Sequence, residues 1–282
     1  VKELLKATGP IYLTDFSQEI DQNNLYEKTQ SEVESDFFPG SHKKKNFLSS
    51  LAHELTNEIS QIPPHDYFVL GKGILTALEE KHVQVFVHSE KTQSEISNLG
   101  FDGGVSLPGC FGNCLADFVG ISEANVGVNK ANYFLERNAS LEIFVSENGV
   151  RKTLTISYFN RANPSLGSSS KYKSYIRLLI PPESQVEDFE VVKTGQDNRT
   201  TPEVTLIHGR KEVGILHEVN PQETTTIRIS WENAALLDFN QPGEYRLYWR
   251  KQAGTDSDTI SVKVVMPSNL PISSSPSFSL TE

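Results

Sequence analysis

The sequence is short of several residue types, and each shortage removes a class of explanation. Among 282 residues there are two cysteines, two tryptophans and one methionine. Two cysteines, Cys110 and Cys114 in GCFGNC, cannot complete a four-ligand zinc site, and no CxxC or HxxxH pattern supplies the remaining ligands. The reading is therefore of no metal. Basic residues are also scarce: 26 Lys and Arg against 36 Asp and Glu leave a net charge of −10. That balance argues against nucleic acid as a partner and leaves no polybasic patch for anionic lipid. No apolar run approaches the roughly 20 residues of a membrane-spanning helix, and no signal peptide opens the chain.

Motifs of nucleotide and hydrolytic chemistry are missing as well. No GxxxxGK[ST] loop is present, and Gly71-Lys72-Gly73 lacks both the spacing and the following Ser or Thr. The segment VGVNKAN (126–132) has the Asn-Lys of a guanine-reading loop, but Asn132 stands where that motif has an acid. We therefore expect no nucleotide and no other cofactor, with Gly127 and Asn129 turning the chain and Lys130 leading into the next strand. The seven histidines are scattered without i, i+4 spacing, and no Gly-x-Ser-x-Gly elbow offers a nucleophile. No catalytic residue is assigned from the sequence. Lys130 and Asn132 have the residue types of a Lys–Asn isopeptide bond, but partners cannot be paired from sequence. Free thiols and a disulfide both fit Cys110 and Cys114. A bridge would need an oxidising compartment, and it would pin a local turn.

What is present falls into two patterns. The first third reads as helix. Phe47, Leu48, Leu51, Leu55 and Ile59 form one stripe between His42 and Ile62, which Pro63-Pro64 ends. A following helix capped by Asp66 places Phe68, Ile74, Leu75 and Leu78 on a core face. VQVFVHS reads as a strand, and KTQSEISNLG as a short helix closed by Gly100. A polar helix is also expected over 21–36.

After a Gly/Pro-rich loop the period shortens to two. LEIFV, TLTISYF, YIRLLI, EVTLI, TTIRISW, EYRLYWR and TISVKVV alternate, with turn signals such as Asn148-Gly149 and Pro242-Gly243 between them. The fold class expected is α+β: a mixed helix/strand region followed by an immunoglobulin-like antiparallel β-sandwich. The boundaries are 1–100 for the partial α/β domain, 101–117 for the loop, 118–266 for the sandwich and 267–282 for a disordered Ser/Pro-rich tail.

Four stretches, LLKATGPIYL (4–13), LEEKHVQVFVHSEKTQSEISNLGFDG (78–103), ANVGVNKANYFLER (124–137) and YRLYWRKQAGTDSDTISVKV (245–264), carry a family likeness. In order along the chain, they resemble the bacterial family catalogued as domain of unknown function 4012. The resemblance implies an extracytoplasmic envelope protein anchored by an N-terminal membrane helix, of which this chain would be the C-terminal portion. The start at Val1, inside a helix-like VKELLKATG and without an initiator Met, is what such a fragment would show. The resemblance also implies that Asn125, Gly127, Asn129 and Lys130 form a family turn between two strands. Partners would be other components of the envelope or surface.

Residues 1–62, with a Gly-Pro-then-strand element and the KKKNFLSSL helix start, bear a second and more distant likeness to LytR-CpsA-Psr proteins. Those transfer lipid-linked polymer to the cell wall, but their catalytic Arg and Asp motifs have no counterpart here. The expectation is a non-catalytic structural or binding module, with a polymer-transferring enzyme fragment as the alternative.

Overall fold

The computed structural model describes residues 1–25, 27–29, 42–104, 109–127, 129, 131–165, 170–193, 196–198, 201–234, 237–250, 252, 254–255 and 258–267. The tail expected over 267–282 lies outside them beyond Pro267, as do most of the polar helix expected over 21–36 and Lys130. The chain is α+β, and it divides into two compact units, Val1–Gly104 and Val105–Leu280.

The first unit contains helices α1 (Lys2–Thr8), α2 (His42–Gln61), α3 (Tyr67–Glu79) and α4 (Glu90–Asn98), and a small hairpin of β1 (Ile11–Leu13) and β2 (Gln18–Ile20). Its core joins the hairpin to one face of α2: Leu5, Ile11, Leu13 and Ile20 pack with Phe47, Leu51 and Leu55. Those three positions of α2 are four apart, as one buried stripe of a 3.6-residue helix requires. Leu48, expected in the same stripe, is exposed.

Three further expectations for this unit fail. VQVFVHS forms no strand, and Phe86 within it is 73% exposed. The segment's amides are taken up singly instead of in a ladder: Val83 donates to the Ala77 carbonyl (3.0 Å), Val85 to the Phe101 carbonyl (2.9 Å) and Val87 to Gln93 Oε1 (2.9 Å). Asp66 precedes α3 but makes no side-chain capping bond. The anticipated core face of α3 is turned outward, with Phe68 80% exposed and Ile74 and Leu75 near half. Of this helix, Gly73 is buried instead.

The second unit is built from β3 (Cys114–Asn125) to β13 (Thr259–Val265). Between these lie β4 (Leu135–Ser146), β5 (Gly149–Asn160), β6 (Tyr172–Ile180), β7 (Gln185–Lys193), β8 (Gln196–Asn198), β9 (Glu203–Ile207), β10 (Arg210–Val219), β11 (Thr224–Asn233) and β12 (Glu244–Arg250). They form two sheets, ordered β12-β3-β6-β10-β9 and β13-β4-β5-β11-β7-β8. Val119, Ile176, Leu178, Val213 and Ile215 of the first share one hydrophobic core with Leu141, Ile143, Leu154, Ile156, Ile227 and Trp231 of the second.

Each anticipated strand of this unit is present. Strands β3, β7, β8 and β10 are not among those expected, and β3 begins at Cys114, inside the stretch expected as loop up to 117. The sheets are mixed rather than purely antiparallel. β12 runs parallel to β3, and β13 runs parallel to β4. A parallel neighbour needs a long crossover, and the strands between β4 and β12 supply one.

Strict alternation sets the faces. In β5, Val150, Lys152, Leu154, Ile156, Tyr158 and Asn160 are all buried; in β11, Thr225, Ile227, Ile229, Trp231 and Asn233 are. The two strands pair antiparallel, with Trp231 opposite Lys152 and Asn233 opposite Val150. Their buried sides therefore form one continuous surface.

Candidate functional site

The residues singled out from sequence lie at two places around β3. At its start, Cys110 and Cys114 are joined by a disulfide with the Cα atoms 5.5 Å apart. Between them, Asn113 donates from Nδ2 to the Asp238 carbonyl (2.8 Å) and accepts at Oδ1 from the Asp238 amide (2.9 Å). Because Cys114 pairs with Glu244, the bridged turn and the connection into β12 are fastened together.

At the other end of β3, Asn125 accepts from the Gly127 amide (3.0 Å) and donates to the Asn129 carbonyl (2.6 Å). Asn129 accepts from the Ala131 amide (3.1 Å) and donates to the Lys171 carbonyl (2.8 Å). These carboxamides close local turns of the kind that Asn side chains favour. Asn132 lies in a 3₁₀ turn, Ala131–Phe134, rather than in a strand, so the isopeptide pairing considered there has no strand to stand on.

The most unusual chemistry lies between the sheets, at positions the sequence reading passed over. Lys152 is fully buried, and its Nζ donates to Asp117 Oδ2 of the facing sheet. Asp117 Oδ2 also accepts from Tyr245 Oη (2.6 Å), and its Oδ1 accepts from the Phe118 amide (2.8 Å). Asn233, 3% exposed, completes the group. With its carboxamide placed to satisfy its neighbours, Nδ2 donates to Ser184 Oγ (2.6 Å) and to the Glu232 carbonyl (3.3 Å). Oδ1 then accepts from Lys152 Nζ at 3.0 Å. The Trp231 ring lies 5.7 Å from the ammonium. Burial lowers the pKa of Lys152 despite the attraction of Asp117 beside it, and burial together with Asp117 raises that of Tyr245.

A second polar cluster spans the same two sheets around Glu123, three alternations along β3 from Asp117. Glu123 accepts from Tyr158 Oη at Oε1 (2.7 Å), and from Tyr172 Oη (2.8 Å) and Arg137 Nε (3.1 Å) at Oε2. Burial opposes the charge on Arg137, but Glu123 together with Tyr172, Asp258 and Tyr158 more than offsets it, and the guanidinium's pKa is raised. Burial and Glu123 raise the pKa values of both tyrosines. His217 packs against the rings of Tyr158 and Tyr172, at centroid distances of 4.8 and 5.7 Å. Neither of its ring nitrogens has a hydrogen-bond partner among the described residues, and burial pushes its pKa down to about 4. Glu123 itself is satisfied by three donors, as in a structural network.

Sequence alternation carried a signal for the Lys152 cluster. Lys152 has the parity of Leu154, Ile156 and Tyr158, and Asn233 has that of Trp231. A charged or amide residue inside such a stripe marks a buried polar contact.

The first unit contains an open cleft of about 200 Å³ lined by Leu13, Thr14, Asp15, Ser49, Ser50, His53 and Glu54. Within it Ser50 Oγ donates to Asp15 Oδ2 at 3.1 Å. Among the described residues no cluster of His, Cys, Asp and Glu has the arrangement of a metal site, and no helix is long and apolar enough to cross a membrane.

The site thus belongs to a two-sheet β unit whose core is crossed by ionic contacts. Comparison with known proteins yields no family: no family profile matches the chain, and no curated protein does. Solved structures match parts of it. A Legionella pneumophila protein, provisionally described as nutrient-binding, is 12% identical over 42% of this chain and 44% of its own length, with a TM-score of 0.29. An M1 zinc metallopeptidase from Deinococcus radiodurans is 17% identical over 38% of this chain and 22% of its own, with a TM-score of 0.20. A mutant form of that enzyme gives 16% identity over 36% and 20%, with the same score. The chain therefore spans less than half the length of each protein.

Proposed function

We propose that this chain is part of an extracytoplasmic bacterial envelope protein, a non-catalytic module that spaces or presents a binding surface. Its second unit is read as a β-sandwich of the immunoglobulin-like type. The observation that supports the location is the Cys110–Cys114 disulfide, because such bonds persist in oxidising compartments and are rare in reducing ones. The resemblance to an envelope family points the same way. A presenting role agrees with the architecture, in which the buried polar groups bond one another between the sheets and long connections lie at their ends.

Both ends of the connection after β5 are built into the fold. Asn160 Nδ2 donates to the Ser170 carbonyl (2.7 Å), and its Oδ1 accepts from the Ala162 amide (3.0 Å). Residues 163–165 between these anchors are exposed.

The location is tested by trapping thiols with an alkylating agent in living host cells and then fractionating them. The expected result is a bridged pair in protein recovered with the envelope. Two alkylated cysteines in protein from the soluble interior would overturn the reading. Presentation is tested by replacing residues 163–169 with a Gly-Ser linker and measuring retention on isolated envelopes. Loss of retention without loss of folding would place the binding surface there, and unchanged retention would rule that connection out.

A further inference from the structure

We propose that Lys152 and Asn233 become joined by an intramolecular isopeptide bond, with Asp117 as the group that moves the proton. The bond requires an amine, a carboxamide and an acid–base group in one water-excluded place. Lys152 Nζ, Asn233 and the Asp117 carboxylate meet between the sheets, at relative exposures of 0%, 3% and 1%. Nζ lies 3.0 Å from Asn233 Oδ1, so the carboxamide carbon lies within reach of the amine. The two residues sit on adjacent strands, β5 and β11, two positions apart on a shared buried face.

The electrophile is assigned to Asn233 because an ionised carboxylate repels a nucleophile, whereas a neutral carboxamide accepts one. Asp117 takes a proton from the Lys152 ammonium and leaves a neutral amine, a transfer that the buried setting favours. The Nζ lone pair forms a bond to Cγ of Asn233, and the carbonyl π electrons move to Oδ1. Nδ2 is now attached to the same carbon as Nζ, so a carboxyl group touching Nζ stands beside both nitrogens. Asp117 gives its proton to Nδ2 and takes one from Nζ. The Cγ–Nδ2 bond breaks, ammonia leaves, and a secondary amide remains. The proton then held by Asp117 passes to the ammonia, which departs as ammonium.

The surroundings fit this chemistry. Tyr245 Oη holds Asp117 Oδ2 in place at 2.6 Å, and Ser184 Oγ holds the carboxamide at 2.6 Å. The fully buried Trp231 lies directly across from Lys152 and helps to keep water from the amide formed. An amide here would tie together two adjacent interior strands of the six-stranded sheet. It would enclose every strand from β6 to β10 in a covalent ring that unfolding cannot open.

The test is intact mass of the full chain, denatured and reduced, followed by peptide mapping. The expected mass is lower than the encoded one by one ammonia, with a branched peptide joining residues 152 and 233. Asp117→Ala and Lys152→Arg should each restore the encoded mass. Should either variant fail to fold, the map of the unaltered chain decides alone. The encoded mass in the folded, unaltered chain would overturn the proposal. So would loss of one water with a branch at Asp117, since the amide would then have the other partner. An ammonia loss traced to Asn148-Gly149, without a branched peptide, would overturn it as well.

Discussion

Replacing Glu123 with Ala removes the acceptor of three buried donors at once. The Arg137 side chain is 12% exposed and that of Glu123 is 6%, so water cannot readily take over the lost bonds. Breaking one side of a buried ion pair costs about 3–5 kcal/mol, because the remaining charge stays desolvated. Tyr158 and Tyr172 would each lose a bond, but contacts within one network do not add, and we take the whole effect to lie within that range. For a unit of this size each kcal/mol shifts the melting temperature by roughly 2–4 °C, giving a fall of roughly 6–20 °C.

Tryptophan fluorescence reads this unit alone, since Trp231 and Trp249 are the only tryptophans and both lie in it. Glu123→Gln, which keeps an acceptor and the volume, should lose about half as much. The double variant Glu123→Leu with Arg137→Met should lose less than Glu123→Ala, since it leaves no buried charge unpaired. A loss below about 1 kcal/mol for Glu123→Ala would refute the account of Glu123 as the centre of a desolvated network.

Two other outcomes are expected for this unit. The pKa of His217 is depressed to about 4 in the folded chain, against about 6.5 unfolded. As pH falls the unfolded state takes up the proton first, so stability is full above about 6.5 and declines through the window down to about 4. The loss amounts to about 3 kcal/mol, and melts of His217→Phe between pH 7 and pH 4 should be flatter by that amount; an unchanged slope would contradict it. Reducing Cys110–Cys114 opens a very short loop, so chain entropy gives a cost of at most about 2 kcal/mol. The fluorescence melt should move down modestly and remain cooperative, and unfolding on reduction would show the bridge to be essential.

The local pattern of the sequence determined seven of the strands of the second unit and the main helices of the first and, in the alternating strands, which side of each is buried. The stripe of α2 appears because 3.6-residue periodicity is a property of the segment itself, and β5 and β11 alternate for the corresponding reason. That same alternation placed Lys152 and Asn233 on inward faces, a signal available from sequence, whereas Asp117 lies in β3, where four successive residues are buried and no alternation marks it. Exposure of α3 and the missing strand at VQVFVHS could not be read there. A stripe states what could be buried, not whether a partner exists to bury it, and a strand requires a neighbouring edge. The meeting of Lys152 with Asn233 was settled by the register of β11 on β5, and the meeting with Asp117 by the facing of two sheets. The parallel placement of β12 and β13 was likewise a matter of long-range pairing. Such contacts join residues far apart in the chain, and their energies arise only when desolvation and register are set together, which is why the buried site belongs to the tertiary structure.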